Sequence, residues 1–331
     1  MKPTDILAIG DITTDAFIKL GKAEVHCDIG KENYKLCMDF GSKIPYESVE
    51  VVRAVGNSAN ASVSASRLGL SSSLLTYIGD DQNGKECLEE LQKNNVDIEY
   101  VRTEAGKQTN YHYVLWYDVD RTILVKHETF TYNLGTITAP KWIYLSSLGE
   151  NSLDFHVQIA EYLEKNPEVK LAFQPGTFQI KSGVQKLEKI YKRTEIFICN
   201  VEEAQLILGK KSRDLAVLLR DIAILGPKIV IITDGYNGAY AYDIRDDNSN
   251  SWFMPIYPHT PIERTGAGDA YASTIVSALA LGKTLEEGLR WAGINSMSVT
   301  QYVGAQKGLL SIEKIEEYLA KAPDNYKPQK L

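Results

Sequence analysis

Short apolar runs alternate with amphipathic segments along most of this chain. The apolar runs are rich in aliphatic and aromatic residues, as buried strands are, and cover residues 5–9, 73–78, 141–147, 169–173, 195–199 and 228–233. The segments between them repeat apolar residues every three or four positions, which predicts helices over 58–69, 84–95, 153–166 and 201–208. Strands that alternate with helices indicate an α/β fold, with a mostly parallel sheet inside a three-layer α/β/α arrangement.

Two stretches depart from this alternation. Residues 16–53 contain several β-prone runs and no helical pattern, and residues 110–117 with 122–127 predict a hairpin that turns at Asp118–Arg121. We interpret the two segments, about 16–53 and 110–127, as one small β-sheet that projects from the body as a lid. Its aromatic residues are typical of a small hydrophobic core rather than a ligand-stacking face; they are Tyr111, Tyr113, Trp116 and Tyr117.

The C-terminal part of the chain follows a different order. The runs GAYAYD and SWFMPIY predict a strand pair at one edge of the sheet, and helices are predicted over 267–282 and 284 to about 301. The tail from Asn325 is expected to be frayed. Because no break in composition divides the sequence, residues 1–331 are expected to form a single domain.

Composition narrows the class of protein. The 331 residues are 44% apolar and 24% charged, which is ordinary for a globular protein. The net charge is −7 and the basic residues are scattered, so neither nucleic acid nor a membrane surface is expected as a partner. No apolar stretch resembles a signal peptide or a membrane helix. Cys27, Cys37, Cys87 and Cys199 show no CxxC spacing, so we expect a cytoplasmic protein without zinc or disulfides.

Residues 79–86 have the G-x-x-x-x-G-K spacing of a Walker A loop. That loop needs Ser or Thr after the lysine to hold magnesium, and Glu86 stands there instead. Asp80 and Asp81 would also repel phosphates. We therefore predict a polar turn in which Asp and Asn side chains supply the helix cap.

A glycine-rich turn at residues 263–271 is better suited to an anion. Gly266, Ala267 and Gly268 leave backbone N–H groups uncovered where the predicted helix begins, and a helix N-terminus carries partial positive charge. Asp269 follows in the first turn. Two interpretations stay open from this segment alone, a carboxylate that stabilises the helix terminus and one that accepts a proton from a hydroxyl.

Four elements in the right order resemble the ribokinase-like family of carbohydrate and nucleoside kinases, also called PfkB kinases. The resemblance covers nearly the whole chain and is carried by Val55–Asn60 with Arg67–Gly69, Asn200–Glu203, Thr233–Gly238 and Glu263–Asp269. It implies a kinase that uses ATP and Mg²⁺ and transfers the γ-phosphoryl group to a primary hydroxyl of a sugar. In that family the turn corresponding to Gly266, Ala267 and Gly268 forms an anion hole, and the position of Asp269 is the general base.

The resemblance also assigns candidate binding residues. Those for the nucleotide are Asn200, Glu203, Thr233, Gly235, Gly238 and Asn295, and those for the acceptor are Asp11, Asp15, Gly56, Asn57 and Asn60. Glu203 is expected to act on the metal through water. Simpler interpretations remain open for four of these groups: a capping box for Asn200 and Glu203, a plain turn for Thr233 and Gly235, a cap or solvated carboxylate for the aspartates, and a cap or core amide for Asn60.

Two positions differ from the family pattern. Glu263 replaces an aspartate that often belongs to a loop for a monovalent cation, so activation by K⁺ is in doubt. Gln174 stands where relatives usually carry Asp or Asn before proline.

Two alternative functions stay open. A nucleoside is the second candidate acceptor, and a non-catalytic protein that binds sugar or nucleotide and acts as a regulator is the alternative from another class. No G-x-G-x-x-G follows the first strand, which argues against a dehydrogenase. The lid is the candidate surface for a homodimer.

Overall fold

The computed structural model describes residues 4–21, 23–27, 34–117, 120–245 and 250–331. The strands are β1 Ile6–Ile9, β2 Thr13–Leu20, β3 Glu24–Cys27, β4 Tyr34–Cys37, β5 Tyr46–Val55, β6 Ser72–Gly79, β7 Val101–Glu104, β8 Asn110–Tyr117, β9 Asp120–Leu124, β10 Trp142–Leu145, β11 Lys170–Phe173, β12 Thr194–Asn200, β13 Ile229–Thr233, β14 Ala239–Asp243, β15 Asn250–Met254 and β16 Gln329–Lys330. The helices are α1 Asn57–Arg67, α2 Gln82–Lys93, α3 Leu153–Lys165, α4 Thr177–Ser182, α5 Glu188–Arg193, α6 Val201–Leu208, α7 Leu215–Ile224, α8 Ala267–Ala280, α9 Leu285–Val299 and α10 Ile312–Ala320.

A ten-stranded sheet runs through the middle of the molecule in the order β16-β15-β14-β13-β12-β11-β10-β1-β6-β7. The strands from β7 to β13 in this order pair in parallel, and β14, β15 and β16 continue the sheet in antiparallel pairs. Parallel strands are joined by helical crossovers, so their carboxyl ends lie along one edge. That edge is where side chains that follow the strands can meet.

Successive residues of β1 point into two different cores. Ile6 and Ala8 pack into the core that contains α1, α8 and α9, whereas Leu7 and Ile9 pack into the core that contains α3 and α7. This alternation follows from the two-residue period of a strand that is buried on both faces. The predicted three-layer α/β/α fold is confirmed.

The lid is a separate four-stranded sheet in the order β5-β2-β8-β9. It takes strands from both predicted segments. The strands of the first segment begin at Thr13 and end at Val55, which is beyond the predicted limits of 16 and 53. The sequence pattern predicts that the middle of the first segment belongs to the lid sheet. It does not, because β3 and β4 pair with each other in a separate two-stranded sheet. The hairpin is shorter than predicted, since Arg121 already belongs to β9; Asp118 and Val119 lie outside the described residues.

Most predicted elements of the body are confirmed within a few residues, including the edge pair β14 and β15. The prediction of a frayed tail is wrong. Tyr326 is 2% exposed, its hydroxyl donates to the carbonyl of Arg290 at 2.7 Å, and β16 pairs with β15. A buried aromatic ring therefore anchors the tail against α9.

The described cysteine side chains, Cys37, Cys87 and Cys199, are free thiols, and the side chain of Cys27 lies outside the described set. In the part of the chain that the structure describes, no helix has the length and apolar character needed to cross a membrane.

Candidate active site

Asp269 lies in the first turn of α8 and is held by three side-chain amides. Asn57 and Gln174 donate to Oδ1 at 2.7 and 3.1 Å, and Asn60 donates to Oδ2 at 2.8 Å. The donors come from α1 and from the loop after β11, so three elements converge on one carboxylate. Neutral N–H donors favour the ionised carboxylate and fix its direction without adding a counter-charge.

Burial and hydrogen bonding act on the pKa of Asp269 in opposite directions. Removal of the carboxylate from water raises the pKa and is the largest effect, while the three amides and the charge of Arg121 lower it. The net result is a pKa above the ordinary value of 3.8. A carboxylate with a raised pKa accepts a proton more readily than a free aspartate, which suits a general base.

The turn before α8 takes its shape from glycine. Gly266 has a φ of 81°, in the left-handed region, and an added Cβ would lie 2.3 Å from the Cβ of Ala305. Glycine is required there on both counts. The first N–H groups of a helix have no partner within it, although the N–H of Ala267 makes a long bond of 3.3 Å to the carbonyl of Arg264. Gly268 is exposed to solvent, so the turn presents donors beside Asp269.

The acceptor candidates on α1 lie beside the carboxylate of Asp269. Gly56 precedes the helix with a φ of 116°, and an added Cβ would lie 2.6 Å from the carbonyl oxygen of Asp11. Asn60 donates to Asp269 and accepts from Gln306 at 3.0 Å, so both ends of its amide are fixed. Gly56 is the N-cap residue, so Asn57 and Asn60 are inside the helix. Their side chains donate hydrogen bonds to Asp269 and do not cap the helix.

Asp11 and Asp15 are both nearly buried, at 7% and 8% exposure. Both oxygens of Asp11 accept from the hydroxyl of Tyr132 at 2.9 Å, and the Nδ1 atom of His127 lies 3.6 Å away. Asp15 lies 3.3 Å from the Nδ1 atom of His112, its register partner on β8. Neither aspartate is a helix cap or a solvated carboxylate, so both stay candidates for binding hydroxyl groups.

Sequence reasoning missed the two lid histidines. The rings of His112 and His127 are 5.3 Å apart between centroids, and His127 packs edge-on against Phe178 at 5.7 Å. Buried nitrogens of both rings, Nε2 of His112 and Nδ1 of His127, have no hydrogen-bond partner. The alternation of side chains along β8 could have placed His112 on one face, but its pairing with Asp15 depends on the register of distant strands.

A cavity of about 260 Å³ opens on the other side of the Gly266–Gly268 turn, which we call the anion turn. Three nucleotide candidates, Thr233, Gly235 and Gly238, line it together with Ala267 and Gly268. Its other walls include side chains that the sequence did not indicate, among them Met254, Tyr257, His259, Met297 and Thr300. The anion turn therefore lies between this cavity and Asp269 with its acceptor candidates.

Asn200 and Glu203 form the capping box at the start of α6. The N–H of Glu203 donates to Asn200 Oδ1 at 2.8 Å, and the N–H of Asn200 donates to Glu203 Oε2 at 2.9 Å. Burial raises the pKa of Glu203, and the negative charge of Asp269 adds to the shift. The capping box, the simpler interpretation of these two residues, is therefore present. The Oε1 atom of Glu203 is outside this capping bond and is the atom available to a metal.

Asn295, the remaining nucleotide candidate, does not line the cavity, and its assignment to the nucleotide stays a prediction. Its side chain is fully buried between α8 and α9, where it donates to Thr274 at 2.8 Å and accepts from the N–H of Leu310 at 2.9 Å. Both polar ends of the amide are used within the protein. Ser296 and Met297, the next residues of α9, face the cavity instead.

The pfkB family carbohydrate kinase model matches residues 18–312. The chain belongs to this family. It is 25% identical over 275 residues to a ribokinase of Bacillus subtilis, covering 80% of this chain and 87% of the relative. A nucleoside kinase of Methanothermobacter thermautotrophicus is 25% identical over 268 residues, with 77% and 80% covered. The Arabidopsis thaliana ribokinase complexed with ribose and ATP superposes with a TM-score of 0.76 at 18% identity, covering 96% of this chain and 99% of that one.

Membership of the pfkB family makes the chain a phosphotransferase with an alcohol group as acceptor, a sugar or nucleoside kinase of the ribokinase type. Against that pattern Gln174 is an informative departure. Its Nε2 donates to Asp269 and its Oε1 accepts from the hydroxyl of Tyr144. The side chain of Gln174 thus contacts the carboxylate of Asp269 directly.

The G-x-x-x-x-G-K loop is a structural turn in this kinase. Asp81 caps α2 by accepting from the N–H of Gly84 at 2.9 Å, and it also accepts from the N–H and the hydroxyl of Thr109 at 3.0 and 2.7 Å. Lys85 is exposed on α2 and does not line the cavity beside Gly268. The predicted capping turn is confirmed.

Proposed function

We propose that this kinase transfers the γ-phosphoryl group of ATP to a primary hydroxyl of a sugar, with Asp269 as general base. The observation that carries the proposal is the position of the Asp269 carboxylate, which three amides hold between the acceptor candidates and the anion turn. Phosphoryl transfer depends mainly on positioning and on stabilisation of charge. A fixed carboxylate beside a helix N-terminus supplies both.

Each group has a separate task in this reaction. Asp269 accepts the proton of the attacking hydroxyl, because its pKa is raised while its amide donors keep it ionised and aimed. The N–H groups of Gly266, Ala267 and Gly268 stabilise charge on the phosphoryl oxygens in transit. The nucleotide takes the cavity lined by Thr233, Gly235 and Gly238.

The residues present fit a magnesium ion held mostly by phosphates and water. Within the described ranges no three His, Cys, Asp or Glu side chains cluster as a metal site. Glu203 offers one carboxylate oxygen outside its capping bond, and Mg²⁺ prefers oxygen ligands and keeps several waters. When bound, the ion would neutralise charge on the phosphate oxygens.

A sugar fits the acceptor side better than a nucleoside. Carboxylates and amides, the natural partners of hydroxyl groups, dominate it: Asp11, Asp15, Asn57 and Asn60. A purine or pyrimidine ring needs a flat apolar wall, and the rings of His127 and Phe178 already pack against each other at nearly a right angle. The lid sheet, which carries Asp15 and His112 on one face, would cover the bound sugar and exclude water.

A coupled assay of ADP production tests the proposal. The acceptors are ribose, fructose, other hexoses, their phosphates and common nucleosides, each with ATP and Mg²⁺. We expect turnover with at least one sugar that exceeds turnover with every nucleoside. Preference for a nucleoside would replace the sugar by the second candidate acceptor. Nucleotide binding without ADP production from any acceptor would instead support a non-catalytic regulator.

A further inference from the structure

Glu263 is a carboxylate with almost no contact with water, at 1% exposure. Its Oε1 accepts from the N–H of Thr265 at 2.8 Å and from the Thr265 hydroxyl, while its Oε2 has no hydrogen-bond partner. A buried carboxylate is costly unless a positive charge balances it. Glu263 therefore needs a cation, and through Thr265 it holds the beginning of the Gly266–Gly268 turn.

The cation within reach is Arg121, which the lid carries on β9. Its Nε lies 3.8 Å from Glu263 Oε1, and this nitrogen is buried without a hydrogen-bond partner. Among the described residues, Arg121 is the one basic side chain paired with Glu263. By the two-residue alternation of the lid strands, Arg121 is on the same face as Asp15 and His112, the face turned toward the acceptor candidates.

We infer that Arg121 is the counter-charge of Glu263 in place of a monovalent metal cation, and that this ion pair couples the lid to the anion turn. The inference rests on the proposed function, which makes the lid and the Gly266–Gly268 turn parts of one reaction. Arg121 is then a positioning residue, because it acts on the phosphoryl site through Glu263 and Thr265. Since the guanidinium already balances Glu263, turnover should not require K⁺.

The charge of Arg121 gives a readout that a purely structural role would not change. Arg121 lowers the pKa of Asp269 across the cleft, so its removal should raise that pKa and move the acidic limb of kcat/KM to higher pH. The other ionisable groups coupled to Asp269 are Glu203 on α6 and Tyr144 on β10, and neither changes in this experiment.

The first test compares Arg121→Met with Arg121→Lys, which keeps the charge, and with Lys126→Met, which removes an exposed lid charge bonded to Gln108. Steady-state kinetics are measured in K⁺ and in tetramethylammonium at equal ionic strength. We expect the unmodified kinase to change by less than about twofold between the salts, and Arg121→Met to lose at least about tenfold in kcat, with partial restoration by millimolar guanidinium. Arg121→Lys should lose less, and Lys126→Met should match the unmodified kinase.

Two results would overturn the inference. One is a tenfold or greater loss, on the scale of an electrostatic contribution, when K⁺ is withdrawn from the unmodified kinase, since a metal ion would then serve Glu263. The other is an Arg121→Met variant with unchanged kcat and an unchanged acidic limb.

A second measurement needs no turnover and separates this inference from the proposed function. Hydrogen exchange is followed in Arg121→Met, Arg121→Lys and Glu263→Gln without substrates. We expect Arg121→Met to speed exchange in residues 263–268 and Glu263→Gln to speed exchange in residues 120–124, because coupling between two sites is reciprocal. Reciprocal changes in a chain that phosphorylates no acceptor would retain the ion pair and reject the proposed function. Absence of reciprocal changes would reject the coupling. If Arg121→Met does not fold, Arg121→Lys and Glu263→Gln decide whether the coupling exists.

Discussion

At the scale of one residue, the surroundings of Asp269 suit the general base that we propose. Three amides give it direction, and burial raises its pKa above that of a free aspartate. The sequence could indicate its position, because an aspartate after a glycine-rich turn at a helix start is a local pattern. Its partners could not be predicted this way, since Gln174 reaches it from a distant strand end.

Replacement of the base is the most direct residue-scale test. Asp269→Asn keeps the size of the side chain and removes the proton acceptor, so kcat should fall by at least about 100-fold, while nucleotide affinity and the melting temperature change little. Asp154→Asn is a matched control, because Asp154 is also in the first turn of a helix but is exposed. Near-normal turnover of Asp269→Asn would remove this residue from the mechanism.

The raised pKa of Asp269 predicts the acidic limb of the pH profile. The carboxylate accepts a proton only when ionised, and a pKa above 3.8 means that it is neutralised at a higher pH than an ordinary aspartate. As the pH falls from neutral, kcat/KM should therefore decline through one ionisation whose pKa lies above the ordinary aspartate value, before the protein unfolds. Circular dichroism over the same range checks the fold. A flat profile down to the unfolding pH would contradict the assignment.

Lys85 provides a negative prediction at the same scale. It is exposed on α2 and is not among the residues that line the proposed nucleotide cavity. Lys85→Ala should change kcat/KM for ATP by less than about threefold, because the side chain contacts no phosphate in the proposed site. Initial rates at varied ATP measure this. A large loss of ATP affinity would show that the G-K turn binds the nucleotide after all.

At the scale of elements, the local sequence predicts those parts whose signals are local. Buried parallel strands stand out as apolar runs, so the strand pattern of the body could be read from the sequence. Helix α7 was missed because LAVLLRDIAI is a nearly continuous apolar run with little visible periodicity. Strand β16 was missed because its two residues form a strand only through pairing with β15, which Tyr326 makes possible from a distance.

The turn before α8 gives a prediction at this scale. Gly266→Ala should deform the anion turn, because alanine would have to adopt a φ of 81° and its Cβ would overlap Ala305 at 2.3 Å. We expect a loss of about 100-fold or more in kcat, on the scale of a lost anion-hole donor. Gly282→Ala is the control: its φ is 80°, with nothing within 4 Å of the added Cβ. It should lower stability modestly and leave kcat unchanged, and equal effects of the two changes on kcat would contradict the role of the turn.

At the scale of the whole molecule, the site is assembled from segments that are far apart in sequence. Asn57 and Gln174 are 212 and 95 positions from Asp269, and the contact of Asp15 with His112 depends on the parallel pairing of β2 with β8. Register of this kind is set by tertiary packing and not by local pattern. The family motifs name candidate residues for the site, Asp15 of the lid among them, whereas His112 and Arg121 of the lid joined these candidates only from the fold.

The lid sheet has two unlike faces, and this difference leads to a prediction about assembly. Asp15, His112 and Arg121 share the inner face, whereas the outer face carries apolar side chains across its strands, among them the exposed Val49, Tyr113 and Leu124. An apolar face that spans several strands is typical of a surface that another protein covers. We propose that a second copy of this chain covers it, since the outer face has few charges that would oppose its approach to an identical face.

Sedimentation velocity measures this assembly. The unmodified chain should sediment as a dimer, and Leu124→Glu should sediment as a monomer, because the new carboxylate would have to lose its water at the interface. Leu206→Glu is the control, since Leu206 is 70% exposed on α6 in the body and offers the same change of side chain away from the lid. It should leave the dimer intact. A monomeric unmodified chain, or a Leu124→Glu variant that stays dimeric, would mean that the outer face of the lid is not where two copies meet.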